Sequence, residues 1–204
     1  MPPEDASHSA EPVINVRGER VGLGPIRRDL IPLYCRWAND FTFSRSTARS
    51  GPLSLDEMAA VYERVLADAS CVSFVIYDLA GEQPIGTTDL RAIDHQHRTA
   101  TFSIGIGEAA ARGRGLGTEA TRLVLDYAFT VLGLHNVLLE VYEFNAAGRR
   151  AYAKAGFREC GRRRESHWMG GRLWDVIYME CLASEFTSPV LGQVFTAPLA
   201  EDGG

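Results

Sequence analysis

No run of 18 consecutive apolar residues occurs in this 204-residue chain, so neither a transmembrane helix nor a membrane partner is expected. The opening stretch MPPEDASHSAEP lacks both a basic flank and an apolar core. No signal peptide is expected there, and residues 1–16 are predicted to be a disordered lead. Cysteines are few and far apart: Cys35, Cys71, Cys160 and Cys181 form no C-x-x-C and show no metal-ligand spacing. That pattern predicts reduced thiols in the cytoplasm and no bound metal. Positive net charge is missing as well. A formal charge of -5 makes a nucleic-acid partner unexpected and suits a cationic or amine-bearing small substrate, although solubility explains it equally well. No internal repeat is present.

What remains is ordinary for a globular protein, 46% apolar and 23% charged, with length enough for one domain and a substantial core. Residues 19–26 read as a short strand. After it Leu30, Leu33, Tyr34 and Trp37 recur at helical spacing despite Pro32. Ser54, with Glu57 three residues later, makes a capping box ahead of an apolar face of Leu55, Met58, Ala59, Tyr62, Val65 and Leu66. Residues 71–79, 84–93 and 98–107 read as a meander of strands. Leu116, Ala120, Leu123, Val124, Tyr127, Ala128 and Val131 then keep a 3.6-residue rhythm, which predicts a helix with one face on the sheet. A strand over 136–142, a short helix stopped by Gly156 and two strands turning at Gly170–Gly171 follow. The order predicts a mixed α/β (α+β) sheet. Residues 17–182 form the predicted domain, and 183–204 an extension that either wraps it or pairs with a partner.

The stretch ARGRGLGTEA, residues 111–120, carries chemistry. A strand feeding a glycine turn and then a helix leaves successive backbone N–H groups free to converge on an anion, with the positive end of the helix dipole behind them. Gly113, Gly115 and Gly117 remove the side chains that would block a pyrophosphate, and Leu116 opens the helix. Thr118 can add a hydroxyl, and Arg112 or Arg114 positive charge. A dinucleotide fingerprint needs G-x-G-x-x-G and a P-loop needs G-K-[ST]; this stretch has neither. A loose turn capping a helix is the competing reading.

RGRGLG fits the acyl-CoA-binding pattern [Q/R]-x-x-G-x-[G/A] of the GCN5-related N-acetyltransferases through Arg112, Gly115 and Gly117. NAAGRRAYAKAGF resembles the second block of that family's pattern through Asn145, Tyr152, Lys154, Gly156 and Phe157. RWANDFTFSRST and WMGGRLWDVIYMEC resemble the branch of ribosomal-protein N-terminal acetyltransferases and their small-molecule relatives. The resemblance implies a central, mostly antiparallel sheet flanked by helices, whose middle strands, about 100–107 and 136–142, splay apart. Acetyl-CoA would serve as co-substrate, its pantetheine arm beside Ile104 and Ile106, its pyrophosphate over 113–118, and Asn145 near it. An amine-bearing acceptor, a small molecule or a peptide N-terminus, would approach from the other side and attack the thioester directly. The protein would be a monomer or homodimer. A non-catalytic acyl-CoA-binding or ligand-sensing domain is the alternative.

Tyr152 matches the family position that points at the coenzyme sulfur, where a phenol can protonate the leaving thiolate; packing beside Phe157 is the other reading. Many relatives carry a base glutamate where this strand has Thr101 and Ser103. A water chain ending on a carboxylate from another strand, or capture of neutral amine, is expected instead. Glu140 and Glu143 lie on opposite faces, so at most one looks into the cleft. Trp37, Asn39, Asp40, Phe41 and Phe43 suggest an aromatic and acidic acceptor wall, and His167 borders the expected cleft. His95 and His97 read as solvated loop residues, and GRRRE, residues 161–165, as a solvated face.

Overall fold

The computed structural model describes residues 11–46 and 51–195. Residues 1–10 of the lead predicted over 1–16, and the last residues of the extension, lie outside the described residues; Asn15 and Val16, expected to belong to that disordered lead, instead pair with Leu23, the Asn15 amide donating to its carbonyl at 2.8 Å. The strands are β1 (Val16–Arg17), β2 (Val21–Pro25), β3 (Val72–Asp78), β4 (Gln83–Asp94), β5 (Thr99–Ile106), β6 (Asn136–Tyr142), β7 (Arg158–Met169) and β8 (Arg172–Leu182), side by side in the order β1-β2-β3-β4-β5-β6-β8-β7. The helices are α1 (Ile31–Ala38), α2 (Phe41–Ser44), α3 (Leu55–Ala67), α4 (Leu116–Asp126), α5 (Ala146–Ala155) and α6 (Leu191–Phe195). This is a mixed α/β fold around a central, mostly antiparallel sheet.

The one parallel neighbour pair positions the site. β5 and β6 pair at Thr99↔Asn136, Ala100↔Val137 and Thr101↔Leu138, and no further. Past that point β5 stays bonded to β4 as far as Gly86↔Ile106, and β6 to β8 as far as Tyr142↔Val176. Each strand follows its own antiparallel partner, so the sheet opens between them into a wedge whose inner edges lack a ladder.

Alternation assigns the two faces. On one face, Phe102 of β5 and Val137, Leu139 and Val141 of β6 join Leu116, Ala120, Leu123 and Val124 of α4 in the main core. A smaller cluster, Ile31, Cys35 and Met58, joins α1 to α3. Local chemistry explains the helix ends. Pro32 sits in the first turn of α1, where it costs no intrahelical hydrogen bond. Ser54 and Glu57 form the reciprocal capping box of α3. The short helix α2, capped by Asp40, is absent from the sequence expectations.

The long apolar rhythm ends differently from a plain α-helix: α4 continues as a π-turn over Tyr127–Val131. At that junction Asp126 is fully buried and accepts hydrogen bonds from Thr130 Oγ1 (2.9 Å), the Val190 amide (2.9 Å) and the Leu191 amide (2.8 Å). Phe186 meets Phe129 at 5.3 Å beside it. The described part of the extension therefore wraps the fold, a choice its own residues left open. Asp126→Ala leaves three donors without their acceptor and is expected to lower stability by about 2 kcal/mol. Urea unfolding, with cleavage near residue 190 by added protease, measures it. Among the described residues no helix is long and apolar enough to cross a membrane.

Candidate active site

Gly113 and Gly115 adopt φ of +74° and +84°, a region that costs a residue with a side chain roughly 1–2 kcal/mol. Gly115 is the N-cap of α4, and no side chain caps that end. The first helical bond runs from the Glu119 amide to the Gly115 carbonyl (3.1 Å). The amides of residues 113–118 consequently have no acceptor among the described residues, at the positive end of a helix dipole. Such a row of donors fits a pyrophosphate. Glu119 locks the turn in place, accepting from the Arg20 and Val21 amides at 2.7 and 3.1 Å, while Arg20 Nη1 donates to the Arg114 carbonyl at 3.1 Å.

The two arginines behave differently from each other. Arg114 pairs with Asp78 at 3.1 Å and keeps about half its side chain exposed at the rim. Arg112 folds back, donating from Nε to the Ile106 carbonyl (2.9 Å) and from Nη2 to the Gly107 carbonyl (2.8 Å), with its guanidinium over the Phe43 ring. Its side chain braces the end of β5. Thr118 lies partly buried in the first turn of α4.

Ile104 and Ile106 pack partly buried against the main core, on the same face as Tyr152. The Tyr152 ring meets Phe102 edge-on at 6.3 Å and Phe157 at 6.1 Å. Burial pushes its hydroxyl up to about 12, so the phenol keeps its proton at any working pH. Asn145 caps the helix that carries it, Oδ1 accepting from the Gly148 amide at 2.9 Å, and Gly156 at φ +119° ends that helix.

The opposite face presents Thr101 and Ser103 of β5 and Glu140 and Tyr142 of β6. Continuing the register from Thr101↔Leu138 sets Ser103 and Glu140 across the wedge from each other. Ser103 Oγ donates to Asp89 Oδ1 and Oδ2 at 3.0 and 2.9 Å. Asp89, on β4, is only 8% exposed and pairs with Arg91 at 2.6 Å. Burial raises its carboxyl above the ordinary aspartate value, and the Arg91 charge offsets only part of that. Sequence reading missed Asp89. Its trace was an acid in phase with Thr87 and Arg91 on the face of the strand opposite the core residue Leu90. Glu143 turns away from the wedge to Arg162 (3.5 Å), which leaves Glu140 as the one of these two glutamates on the cleft face.

At the far end of β6 an aromatic group covers the same face. Tyr142 stacks on His167 at 3.8 Å, Phe144 lies 5.3 Å from both Tyr142 and Trp174, and Arg172 sits 3.7 Å over Trp174. His167 thus joins an aromatic wall. The expected wall around Trp37 is mostly scaffold. Trp37 is 4% exposed, donates from Nε1 to Glu108 at 2.8 Å, and lies so close over Gly107 that a Cβ there would come within 2.1 Å of its ring. Phe43 covers Gly105 in the same way, and Asn39 ties α1 to Leu53. Phe41 and Asn39 of this group are exposed, Phe41 at 72%. His97 holds a turn through Asp94, and Arg162 pairs with Asp175 at 3.0 Å on an exposed strand.

A family model described as an acetyltransferase (GNAT) domain matches residues 20–158. Spermidine N(1)-acetyltransferase of Escherichia coli K12 is 30% identical over 186 residues, covering 89% of this chain and 97% of that protein. Human alpha/beta-tubulin-N-acetyltransferase 9 is 29% identical over 154 residues, 70% of this chain and 74% of its own. The crystal structure of the Vibrio cholerae spermidine N-acetyltransferase with CoA and spermine superposes with a TM-score of 0.77 at 28% identity, covering 82% of this chain and 98% of that one. These relatives overturn the expected branch: the likeness is to spermidine acetyltransferases, not to the ribosomal-protein N-terminal enzymes. The segment around Trp37, on which that expectation partly rests, packs α1 and α2 onto the end of β5 through Trp37 over Gly107 and Phe43 over Gly105. With the unpaired amides of the glycine turn and the wedge between β5 and β6, these matches establish that the chain belongs to the GNAT acetyltransferase family and is an acetyl-CoA-dependent N-acetyltransferase acting on a primary amine.

Proposed function

We propose that the acceptor is a terminal amine of a small aliphatic polyamine, such as spermidine. The observation that carries this reading is the cleft face of the wedge, where Glu140 and the buried Asp89 lie on either side of the gap and the aromatic wall of Tyr142, Phe144, His167 and Trp174 continues from it. Carboxylates and ring faces both favour a chain of ammonium groups. The acceptors of the bacterial relatives support the same class. The tubulin-acetylating relative supports a protein acceptor as the second reading.

The chain's residues divide the work. The turn amides of 113–118 hold the pyrophosphate of acetyl-CoA, which supplies the activated acetyl group. The free inner edge of β5 past Thr101 aligns the pantetheine arm, with Ile104 and Ile106 on that strand. Glu140 and the aromatic wall hold the acceptor on the opposite side. Tyr152 donates its phenolic proton to the sulfur as the acetyl group leaves for the amine.

Thiol release from acetyl-CoA in the presence of spermidine, spermine, a monoamine and a peptide with a free N-terminus tests the assignment. Turnover is expected to favour the polyamines. Glu140→Gln is expected to raise KM for spermidine about tenfold, roughly 1.4 kcal/mol, with a smaller effect in high salt. Turnover of the peptide with none of the polyamines would overturn the reading in favour of a protein acceptor.

A further inference from the structure

We propose that Asp89, acting through the Ser103 hydroxyl, accepts the proton that the incoming ammonium group must lose before it attacks. The inference rests on the wedge being the site of transfer. β5 carries no acid between Thr99 and Ile106, so the strand that lines the gap cannot itself supply a carboxylate. Ser103, exposed on the cleft face two residues past the last β5–β6 pair, supplies a hydroxyl, and that hydroxyl is already bonded to both oxygens of Asp89 on the neighbouring strand. The carboxylate is buried behind it, so a proton reaches it from the gap by way of Ser103.

The electrostatic surroundings favour this role. Arg91 on the same strand pairs with Asp89 and favours its charged form; Ser73 faces it from β3, with Cys71 just ahead of that strand, Ser103 faces it from β5, and Glu140 lies across the gap. Burial outweighs the Arg91 charge and raises the carboxyl, which brings its proton affinity closer to the range a base needs. Tyr152 lies on the other face of the sheet. Proton removal from nitrogen and proton delivery to sulfur are therefore separated by the strand layer, one on each side of the wedge.

The step balances. Ser103 passes its hydroxyl proton to Asp89 and takes one from the ammonium, leaving a neutral amine. As the N–C bond forms and the C–S bond breaks, Tyr152 gives its proton to the sulfur, which keeps the bonding electron pair. Tyr152 recovers a proton through water from the newly acylated nitrogen, and Asp89 later releases its own to solvent. The products are the amide and the free thiol.

Four proteins test this: wild type, Ser103→Ala, Asp89→Asn and Glu140→Gln, each checked by thermal melting. With the best amine the wild type accepts, kcat is read against pH. Because Asp89 must be ionised to act, wild-type kcat should fall as pH drops through its raised pKa. Ser103→Ala and Asp89→Asn should each lose about 100-fold in kcat, with KM for the amine changed less than about threefold and that acid limb gone. Glu140→Gln should keep the limb. Carboxyl infrared titration of the protein without substrates gives a second readout: a band absent in Asp89→Asn should titrate at a shifted pH in Ser103→Ala. The proposal is overturned if Ser103→Ala keeps wild-type kcat and limb, if Glu140→Gln rather than Asp89→Asn removes the limb, or if the infrared band ignores Ser103. Failure of the polyamine assignment would appear separately, as wild-type preference for another amine, with the variants still compared on that amine.

Discussion

Tyr152→Phe is expected to lower kcat by about 100-fold or more while leaving KM for acetyl-CoA within about twofold, as measured by thiol release under saturating amine. The substitution removes one oxygen and nothing else. The ring of Tyr152 makes its edge-on contacts with Phe102 and Phe157 through carbon atoms, so phenylalanine keeps the packing of α5 against the core. The hydroxyl has no hydrogen-bond partner among the described residues, so its loss strands no buried donor or acceptor. What disappears is a proton donor. Burial holds that proton up to about 12, and the acid form is lost only as pH rises through that value. The wild type should accordingly show no alkaline limb from this group below about pH 11, and the variant's deficit should be nearly the same at every pH between about 6 and 10. A variant with full turnover would reduce Tyr152 to a packing residue. A deficit confined to KM would assign it to coenzyme binding instead.

Gly115→Val is expected to weaken acetyl-CoA binding about 100-fold, by calorimetry or by loss of the ligand-induced rise in melting temperature. Two effects add. Valine at φ +84° meets the left-handed penalty of roughly 1–2 kcal/mol, larger for a β-branched side chain, and its Cβ would stand 3.3 Å from Arg20 Nη2. Relief of that strain rotates the peptide planes on either side, so the amides of 115–118 no longer converge. A hundredfold corresponds to about 2.7 kcal/mol, which the strain and one or two misaligned charge-assisted hydrogen bonds together supply. Gly117→Ala is the control. Gly117 lies at ordinary helical φ, and a Cβ there would touch Ile106 Cγ1 at 3.4 Å, an ordinary contact, so affinity should change less than about threefold. This contrast explains why the pattern RGRGLG demands glycine at 115 and tolerates alanine at 117. If Gly115→Val bound acetyl-CoA normally, the turn would be a cap and not a phosphate cradle.

Several features could be read directly from residue order because their physics is local. A capping box needs only Ser54 and Glu57 on consecutive turns. A turn with two left-handed residues needs only Gly170 and Gly171 in tandem between β-formers. The strand at 136–142 and the helix after Asn145 follow from periodicity and a side-chain cap. The glycine turn belongs to the same class: an αL residue at a helix N-terminus is a backbone property, and the donors it leaves free are its own.

Other features were beyond the reach of sequence because they depend on which strands become neighbours. Arg112 reads as a charge for phosphate, yet the carbonyls at the end of β5 lie within its reach and take it. Trp37 reads as a substrate wall, but Gly107, seventy residues away, leaves room for its ring to lie flat on the strand. Glu140 and Glu143 are indistinguishable by spacing, and the face each occupies follows from the β6–β8 register and from Arg162 on β7. Asp89 is the sharpest case. Fourteen residues separate it from Ser103, and only the β4–β5 register brings the carboxylate behind that hydroxyl. By itself, then, the sequence determined the glycine turn and the place of the phenol on its helix, because both are written in short-range backbone and helical spacing. The tertiary structure decided which carboxylates share the cleft face, because side chains from different strands come together only after register and burial have been settled together.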